Sequence, residues 1–116
     1  MPRTATTEDV FTAIAEPHRR GILDLLAAGE RPVGEIVSIL HISQPLASKH
    51  LRVLREVELV TVRSARQQRF YALNAAGLRP IHAWTGSFAQ FWNASFDRLA
   101  VYLDELQKQR NPPRTP

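Results

Sequence analysis

The chain has 116 residues, enough for one compact domain, and 44% of them are hydrophobic, which favours a globular fold over disorder. Its formal net charge is +4, and its basic residues are 13 Arg against 2 Lys, a bias suited to phosphate and guanine recognition. The absence of Cys excludes disulfides and thiolate metal sites. With neither an apolar leader nor a segment of membrane length, the sequence predicts a cytoplasmic protein without membrane contact.

The first half of the chain carries four helical patterns. Spacing of apolar residues and helix-breaking residues predict helices over 7–15, 17–28 and 33–40. A fourth helix is predicted from about residue 44 to 57, with Ser43 as its N-cap. Because only three residues separate the third and fourth helices, they have the spacing of a helix-turn-helix.

A hairpin and a final helix follow. Alternating residues predict one strand over 60–64 and a return strand over 69–73, joined by a polar tip. Apolar residues then recur at helical spacing, which predicts one long helix over 78–109.

The fourth helix separates two kinds of side chain. Leu46, Ala47, His50, Leu51 and Leu54 share one stripe, which we expect to be buried. The opposite stripe contains no acidic residue and consists of Gln44, Pro45, Ser48, Lys49, Arg52 and Arg55.

This acid-free stripe and the hairpin together predict a DNA-binding surface. Residues 43–69 contain six basic and two acidic residues, an excess that equals the net charge of +4 of the whole chain. We expect Gln44, Ser48 and Lys49 to approach base edges and Arg52 and Arg55 to reach phosphates. The full predicted interface with double-stranded DNA adds the cap, the proline and the hairpin: Ser43, Pro45, Arg63, Arg66, Gln67, Gln68 and Arg69.

Several runs of the chain resemble ArsR-type winged helix-turn-helix regulators. The run 15–26 resembles their second helix, and SQPLASKHLRVL at 43–54 closely resembles their recognition helix. Residues 59–60 and 69–73 fit their wing, so the resemblance covers about 10–74. It implies a cytoplasmic homodimer that represses its own operon and releases DNA on sensing a signal.

The chain departs from this family at two turns. His41 and Glu58 stand where the family often has Gly, and both positions are expected to require a left-handed backbone, which residues other than Gly rarely adopt. We expect either local strain at Glu58 or a different turn there.

The expected fold class is therefore mainly α with a small β-hairpin: a winged helix-turn-helix of about five helices and a two-stranded wing. Residues 1–116 are predicted to form a single domain in which 31–74 bind DNA and the helices at 7–16 and 78–109 dimerise. Residues 111–116 include three prolines and are expected to be disordered.

The aromatic density of the final helix is more than one helix of a small monomer can cover, which predicts a homodimer interface. The charges of the basic and acidic residues nearly cancel along this helix, so we do not expect it to bind DNA. Packing with the first helix across a two-fold axis could place two recognition helices about 34–36 Å apart, matching inverted half-sites. The predicted interface residues are Val10, Phe11, Ile14, Trp84, Phe88, Phe91, Trp92, Phe96, Leu99 and Leu103.

Three alternatives to this interpretation remain at the sequence level. The aromatic residues could pack on the chain's own helices, or Trp84, Phe88, Phe91 and Trp92 could line a pocket for a small apolar effector. The chain could also be a protein-interaction module with an incidental basic surface, which would lack the steep salt dependence of DNA binding.

Metal sensing at the usual family sites and catalysis are not predicted. The third helix offers no thiolates, and the final helix has Asp97, Asp104 and Glu105 without a His at ligand spacing. His18 and His50 are expected to have structural roles. The sequence predicts no metal, no cofactor and no enzymatic activity, because no catalytic motif is recognisable.

Overall fold

The computed structural model describes residues 9–110, which form two compact units, the first ending at Ile81 and the second beginning at His82. The elements are α1 (Val10–Ile14), α2 (Pro17–Ala27), β1 (Arg31–Pro32), α3 (Val33–Leu40), α4 (Gln44–Glu56), β2 (Val60–Ala65), β3 (Gln68–Leu73), a 3-10 helix (Ala75–Leu78), α5 (Arg79–Gly86) and α6 (Ala89–Arg110). The prediction of a mainly helical fold with a small antiparallel sheet is confirmed. A single-domain organisation stays a prediction, and the predicted tail at 111–116 lies outside the described residues.

The first two helices begin where side-chain chemistry allows it. Asp9 precedes α1, and its Oδ1 accepts a hydrogen bond from the backbone N–H of Thr12 at 2.8 Å. Pro17 is the first residue of α2, where its missing N–H breaks no helical hydrogen bond. Helix α1 is therefore shorter than the predicted helix over 7–15. It begins at Val10, because Asp9 caps it instead of lying within its first turn.

The turn between α3 and α4 has the predicted helix-turn-helix form. His41 adopts a left-handed backbone with φ of 54°, which ends α3 abruptly. Two residues later, Ser43 caps α4 by accepting from the backbone N–H of Leu46 at 3.2 Å. The second helix of the motif is thereby fixed in direction as well as in position.

The sheet has three strands in the order β1-β3-β2, all antiparallel. The predicted hairpin is confirmed, with each strand one residue longer at the tip than expected. The strand β1 was not predicted, since it has only two residues and exists through its pairing of Arg31 with Tyr71 and Pro32 with Phe70.

The core of the first unit lies between α1, α2, α3, α4 and the sheet. Its largest fully buried side chains come from four elements or their ends: Ile22, Ile36, Leu51, Leu54 and Leu59. Burying side chains of this size stabilises a fold by about 1.5–3 kcal/mol each. The core therefore holds α4 by its inward stripe and leaves the other stripe to solvent.

The segment after β3 corrects the prediction of one helix over 78–109. The chain forms a 3-10 helix and then α5, and the helix stops at Gly86 before α6 begins at Ala89. At the break, Ser87 donates to the carbonyl oxygen of Trp84 through its backbone N–H at 3.1 Å and through Oγ at 2.6 Å. These bonds to a residue three positions earlier replace the i to i−4 pattern of an α-helix, a change that apolar periodicity does not reveal. No helix among residues 9–110 has the length and apolar character needed to cross a membrane.

Candidate nucleic-acid interface

The exposed stripe of α4 is the centre of the site. All six residues that the helical wheel assigned to it are exposed: Gln44, Pro45, Ser48, Lys49, Arg52 and Arg55. The inward stripe is confirmed as well, since Ala47, His50, Leu51 and Leu54 are buried and Leu46 is half-buried. Core packing therefore aims every polar side chain of this stripe away from the protein interior.

A groove lies between α4 and β3. Its lining contains four cations and no acid: Pro45, Ser48, Lys49, Arg52, Arg55, Arg69 and Tyr71. Six of these residues were predicted as DNA contacts, and the structure brings the hairpin residue Arg69 beside α4. A concave surface lined by cations without a neutralising carboxylate favours binding of a polyanion.

Tyr71 is the groove residue that the sequence did not single out. It is 7% exposed and belongs to the core cluster, so it forms part of the groove wall while packing inward. The sequence places it only in the return strand. Only the pairing of β3 within the sheet shows that the strand borders the groove.

The remaining predicted hairpin residues lie apart from the lining of this groove. Arg66 and Gln67 occupy the tip, where both have a left-handed backbone with φ of 53° and 64°. Gln68 follows them and is exposed. Positive φ at both central residues is what a two-residue type I′ hairpin turn requires.

Within residues 9–110, Arg63 is the one predicted DNA contact that pairs with a carboxylate of the protein. Its Nε and Nη2 donate to the two carboxylate oxygens of Glu30 at 2.8 and 2.7 Å, and its guanidinium lies 4.8 Å from the centre of the Phe70 ring. The hydrogen bond from Arg63 lowers the pKa of Glu30. Glu30 was not identified from the sequence, because the two residues are 33 positions apart.

Buried polar contacts join α4 to the start of α2. His50 is 4% exposed, and its Nδ1 accepts from Arg19 Nε at 3.1 Å. Burial lowers the pKa of His50, which favours the neutral ring. The predicted structural role of His50 is confirmed by this packing.

The predicted dimer residues fall in both units. In the first, Val10 and Ile14 pack partly against the core, whereas Phe11 is 41% exposed. In the second, all seven are exposed, from 40% at Phe88 to 66% at Phe91: Trp84, Phe88, Phe91, Trp92, Phe96, Leu99 and Leu103. The Phe88 ring touches two neighbours, with centroids 5.4 Å from Trp84 and 6.4 Å from Phe91.

A helix-turn-helix whose second helix exposes an acid-free stripe, flanked by a β-hairpin, defines a winged helix-turn-helix DNA-binding regulator. The sequence model of the bacterial regulatory proteins of the arsR family matches residues 16–62. The chain is 38% identical over 80 residues to the transcriptional repressor SdpR of Bacillus subtilis, which is 69% of this chain and 89% of that repressor. The chain belongs to the arsR family of bacterial regulatory proteins.

Two further comparisons agree with this assignment. An HTH-type transcriptional regulator of Mycobacterium tuberculosis is 35% identical over 104 residues, which is 90% of this chain and 94% of that regulator. The solved structure of HlyU from Vibrio cholerae has a TM-score of 0.56 and 35% identity, and covers 65% of this chain and 86% of HlyU. The ArsR-type resemblance of the recognition-helix run is thereby confirmed.

Proposed function

We propose that the chain is a homodimeric repressor that binds an inverted-repeat operator in double-stranded DNA and acts in the cytoplasm without catalysing a reaction. Repression is supported by the name of SdpR, a transcriptional repressor. A relative from Vibrio cholerae is named a transcriptional activator. It is 39% identical over 70 residues, which is 60% of this chain and 65% of that relative. The single observation that carries the DNA-binding part is the acid-free groove between α4 and β3.

Each part of the surface has its own proposed role. Gln44, Ser48 and Lys49 occupy the first turns of α4, the end of a recognition helix that meets base edges in the major groove. Arg52, Arg55 and Arg69 line the groove and would hold phosphates. Pro45 would shape the groove wall, and Ser43 is already engaged as the helix cap.

The wing supplies the outer contacts of the proposed interface. Arg66, Gln67 and Gln68 are exposed at and beside the tip, within reach of backbone or minor groove if α4 enters the major groove. Arg63 would contribute less than its charge suggests, because Glu30 neutralises it.

Salt-dependent binding to promoter DNA tests the proposal. Fluorescence anisotropy with the promoter fragment of the chain's own operon should give a Kd that weakens steeply as salt rises, since phosphate contacts release counterions. Arg52→Ala should weaken binding and reduce the salt slope by about one. Arg98→Ala on α6 is the matched control, because it removes an exposed arginine outside the groove. Equal effects of both variants, or equal affinity for random DNA, would refute a specific interface on α4.

The exposed aromatic side chains of the second unit support the dimer. Apolar side chains this exposed along one segment usually mark an interaction surface. The same observation favours the second candidate, a protein-interaction module that uses this surface. Weak, salt-independent DNA binding together with retained dimerisation would favour that candidate over the repressor.

The cluster formed by Trp84, Phe88 and Phe91 also supports a weaker part of the proposal, a site for a small apolar effector. Their rings contact one another and form one apolar cluster, a surface to which a small apolar molecule could add. Tryptophan fluorescence during a ligand screen reports on this site. Unchanged spectra and unchanged operator affinity across broad chemical classes would remove the effector from the proposal.

A further inference from the structure

We propose that Glu16, His18 and His50 form a binding site for a divalent transition-metal ion such as Zn²⁺, at the junction of α2 and α4. One potential ligand atom from each residue lies within 4.8 Å of the other two. Neither α3 nor α6 contributes a ligand. The proposal concerns metal binding itself and does not depend on the operator.

Each histidine lies beside a different oxygen of the Glu16 carboxylate, at a distance close to the spacing of tetrahedral ligands. His18 Nδ1 is 3.0 Å from Glu16 Oε1, and His50 Nε2 is 3.4 Å from Glu16 Oε2. Ligands held at about 2.0–2.2 Å from a tetrahedral Zn²⁺ stand about 3.3–3.6 Å from one another. The two imidazole rings are nearly parallel, at an angle of 16° with centroids 5.5 Å apart, so both edges can face the same carboxylate.

The donor set selects the class of ion. Two imidazoles and one carboxylate suit Zn²⁺, Co²⁺ and Ni²⁺, whereas Mg²⁺ and Ca²⁺ prefer oxygen ligands alone. Three protein ligands leave a fourth position for water. His18 is the exposed member of the set and gives the ion a route from solvent.

A buried carboxylate oxygen provides a second observation that points to a cation. Glu16 Oε2 is buried and makes no hydrogen bond within residues 9–110, although His50 Nε2 lies 3.4 Å from it. A buried carboxylate oxygen without a partner is costly, and coordination to an ion would satisfy it. Its other oxygen, Oε1, already faces His18.

Arg19 competes with the ion for His50. Because Arg19 Nε donates to His50 Nδ1, the neutral ring carries its proton on Nε2, the atom that faces Glu16. His50 Nε2 can therefore bind the metal ion only when the ring proton lies on Nδ1. Arg19 must then move away, because Nδ1 no longer accepts its hydrogen bond. Arg19→Gln would remove the positive charge, and the new side-chain oxygen could accept from Nδ1–H, as acceptors beside metal-bound histidines do.

Periodicity along the sequence could not reveal this site. Glu16 and His18 precede and begin α2, and His50 lies on the inward stripe of α4. Packing of two helices brings them together. The sequence-based search considered ligand pairs within α3 and within the final helix, and this set belongs to neither.

Metal titration of the full-length, tag-free chain tests the proposal. Co²⁺ absorption and Zn²⁺ calorimetry should show saturable binding of one ion per chain, and Zn²⁺ should raise the Tm of the wild type. His18→Ala and Glu16→Gln should each weaken binding at least tenfold. His18 is exposed, so its variant should fold, and circular dichroism checks this.

Two further variants sharpen the test. His82→Ala removes an exposed histidine on α5 and should bind Zn²⁺ like the wild type, whereas Arg19→Gln should bind more tightly. Absence of saturable binding by Zn²⁺, Co²⁺ and Ni²⁺, or equal affinity in His18→Ala and the wild type, would overturn the site. An Arg19→Gln variant that binds no more tightly would refute the competition assigned to Arg19.

Discussion

Asn74 holds the backbone carbonyl of Glu58, because its Nδ2 donates to Glu58 O at 2.8 Å. Glu58 has a φ of 62° and follows Val57, the C-cap of α4. Leu59 N donates to Leu54 O at 2.8 Å and Glu58 N to Arg55 O at 3.0 Å, the hydrogen-bond pattern of a Schellman motif. The junction between the recognition helix and the wing thus depends on a non-glycine residue in the left-handed region.

Glu58→Gly should stabilise the protein by about 1 kcal/mol, because a left-handed conformation costs a residue with a Cβ about 1–2 kcal/mol and costs Gly much less. Urea unfolding followed by circular dichroism measures the change. Asn74→Ala removes the hydrogen bond without relieving φ, and should destabilise by about 1 kcal/mol. A Glu58→Gly variant less stable than the wild type would show that the carboxylate has a stabilising role that its exposed position does not reveal.

Gly77→Ala should destabilise the same junction by about 1–3 kcal/mol, the usual range for overpacking. A Cβ at position 77 would collide with the carbonyl oxygen of Glu58 and lie 3.0 Å from Leu59 Cδ2. Gly21→Ala in α2 is the matched control, since a Cβ there meets no heavy atom within 4 Å. The control should gain about 0.5–1 kcal/mol in the same denaturation assay because Ala favours helix. Similar losses in both variants would contradict a close approach specific to Gly77.

Local chemistry in the sequence predicted the recognition helix well. Ser43 is a cap residue followed by a two-sided helical pattern, and both features act over a few positions. His41 and Glu58 were expected to require a left-handed backbone, and both have it. The same locality explains the correct hairpin, whose polar tip separates two alternating segments.

Features created by contacts distant in sequence were missed. The strand β1 exists only because Arg31 and Pro32 pair with β3. The break between α5 and α6 was hidden, since the apolar spacing continues across Ser87 while the hydrogen bonds change. The ion pair between Glu30 and Arg63 joins the loop before β1 to the strand β2, far apart in sequence, so charge counting treated Arg63 as available for DNA.

The double variant Arg66→Asn, Gln67→Gly should raise stability and lower operator affinity. Asn-Gly is the preferred sequence of a type I′ turn, whereas the wild-type tip holds two long side chains at positive φ. We expect a gain of about 1–2 kcal/mol in the free energy of unfolding and a salt slope reduced by about one. Gln67→Gly alone should gain stability and retain most of the affinity through Arg66. Unchanged affinity in the double variant would show that the wing tip makes no DNA contact.

Glu30→Gln should strengthen operator binding, because it releases the Arg63 guanidinium and removes a negative charge beside the wing. The expected gain is a few-fold in Kd, with a salt slope larger by up to about one. Glu35→Gln is the control, since Glu35 pairs with Arg31 instead of a predicted DNA contact. Equal binding by the wild type and Glu30→Gln would show that Arg63 remains outside the interface even when released.

The pH dependence of this effect follows from the lowered pKa of Glu30. When the folded-state pKa of a carboxylate lies below its unfolded value, its ion pair is fully formed at pH values above the ordinary Glu pKa. The ion pair is lost as the pH falls through the lowered pKa. The difference between wild type and Glu30→Gln should therefore be constant from about pH 6 to 8, well above the carboxyl range. Anisotropy titrations at several pH values in that interval check it, and a difference that disappears there would contradict the pairing.

Phe96→Glu should convert the proposed dimer into monomers and weaken operator binding. Phe96 is 62% exposed on α6. In a two-fold interface the substitution places one carboxylate on each subunit, and both would be buried without a partner. Burying an unpaired charge destabilises by about 3–5 kcal/mol, enough to dissociate a dimer of micromolar stability. Sedimentation velocity measures the mass, and Gln90→Glu on the same helix is the control for added charge. A wild-type chain that sediments as a monomer and still binds an inverted repeat tightly would exclude dimerisation through α6 as the basis of operator recognition.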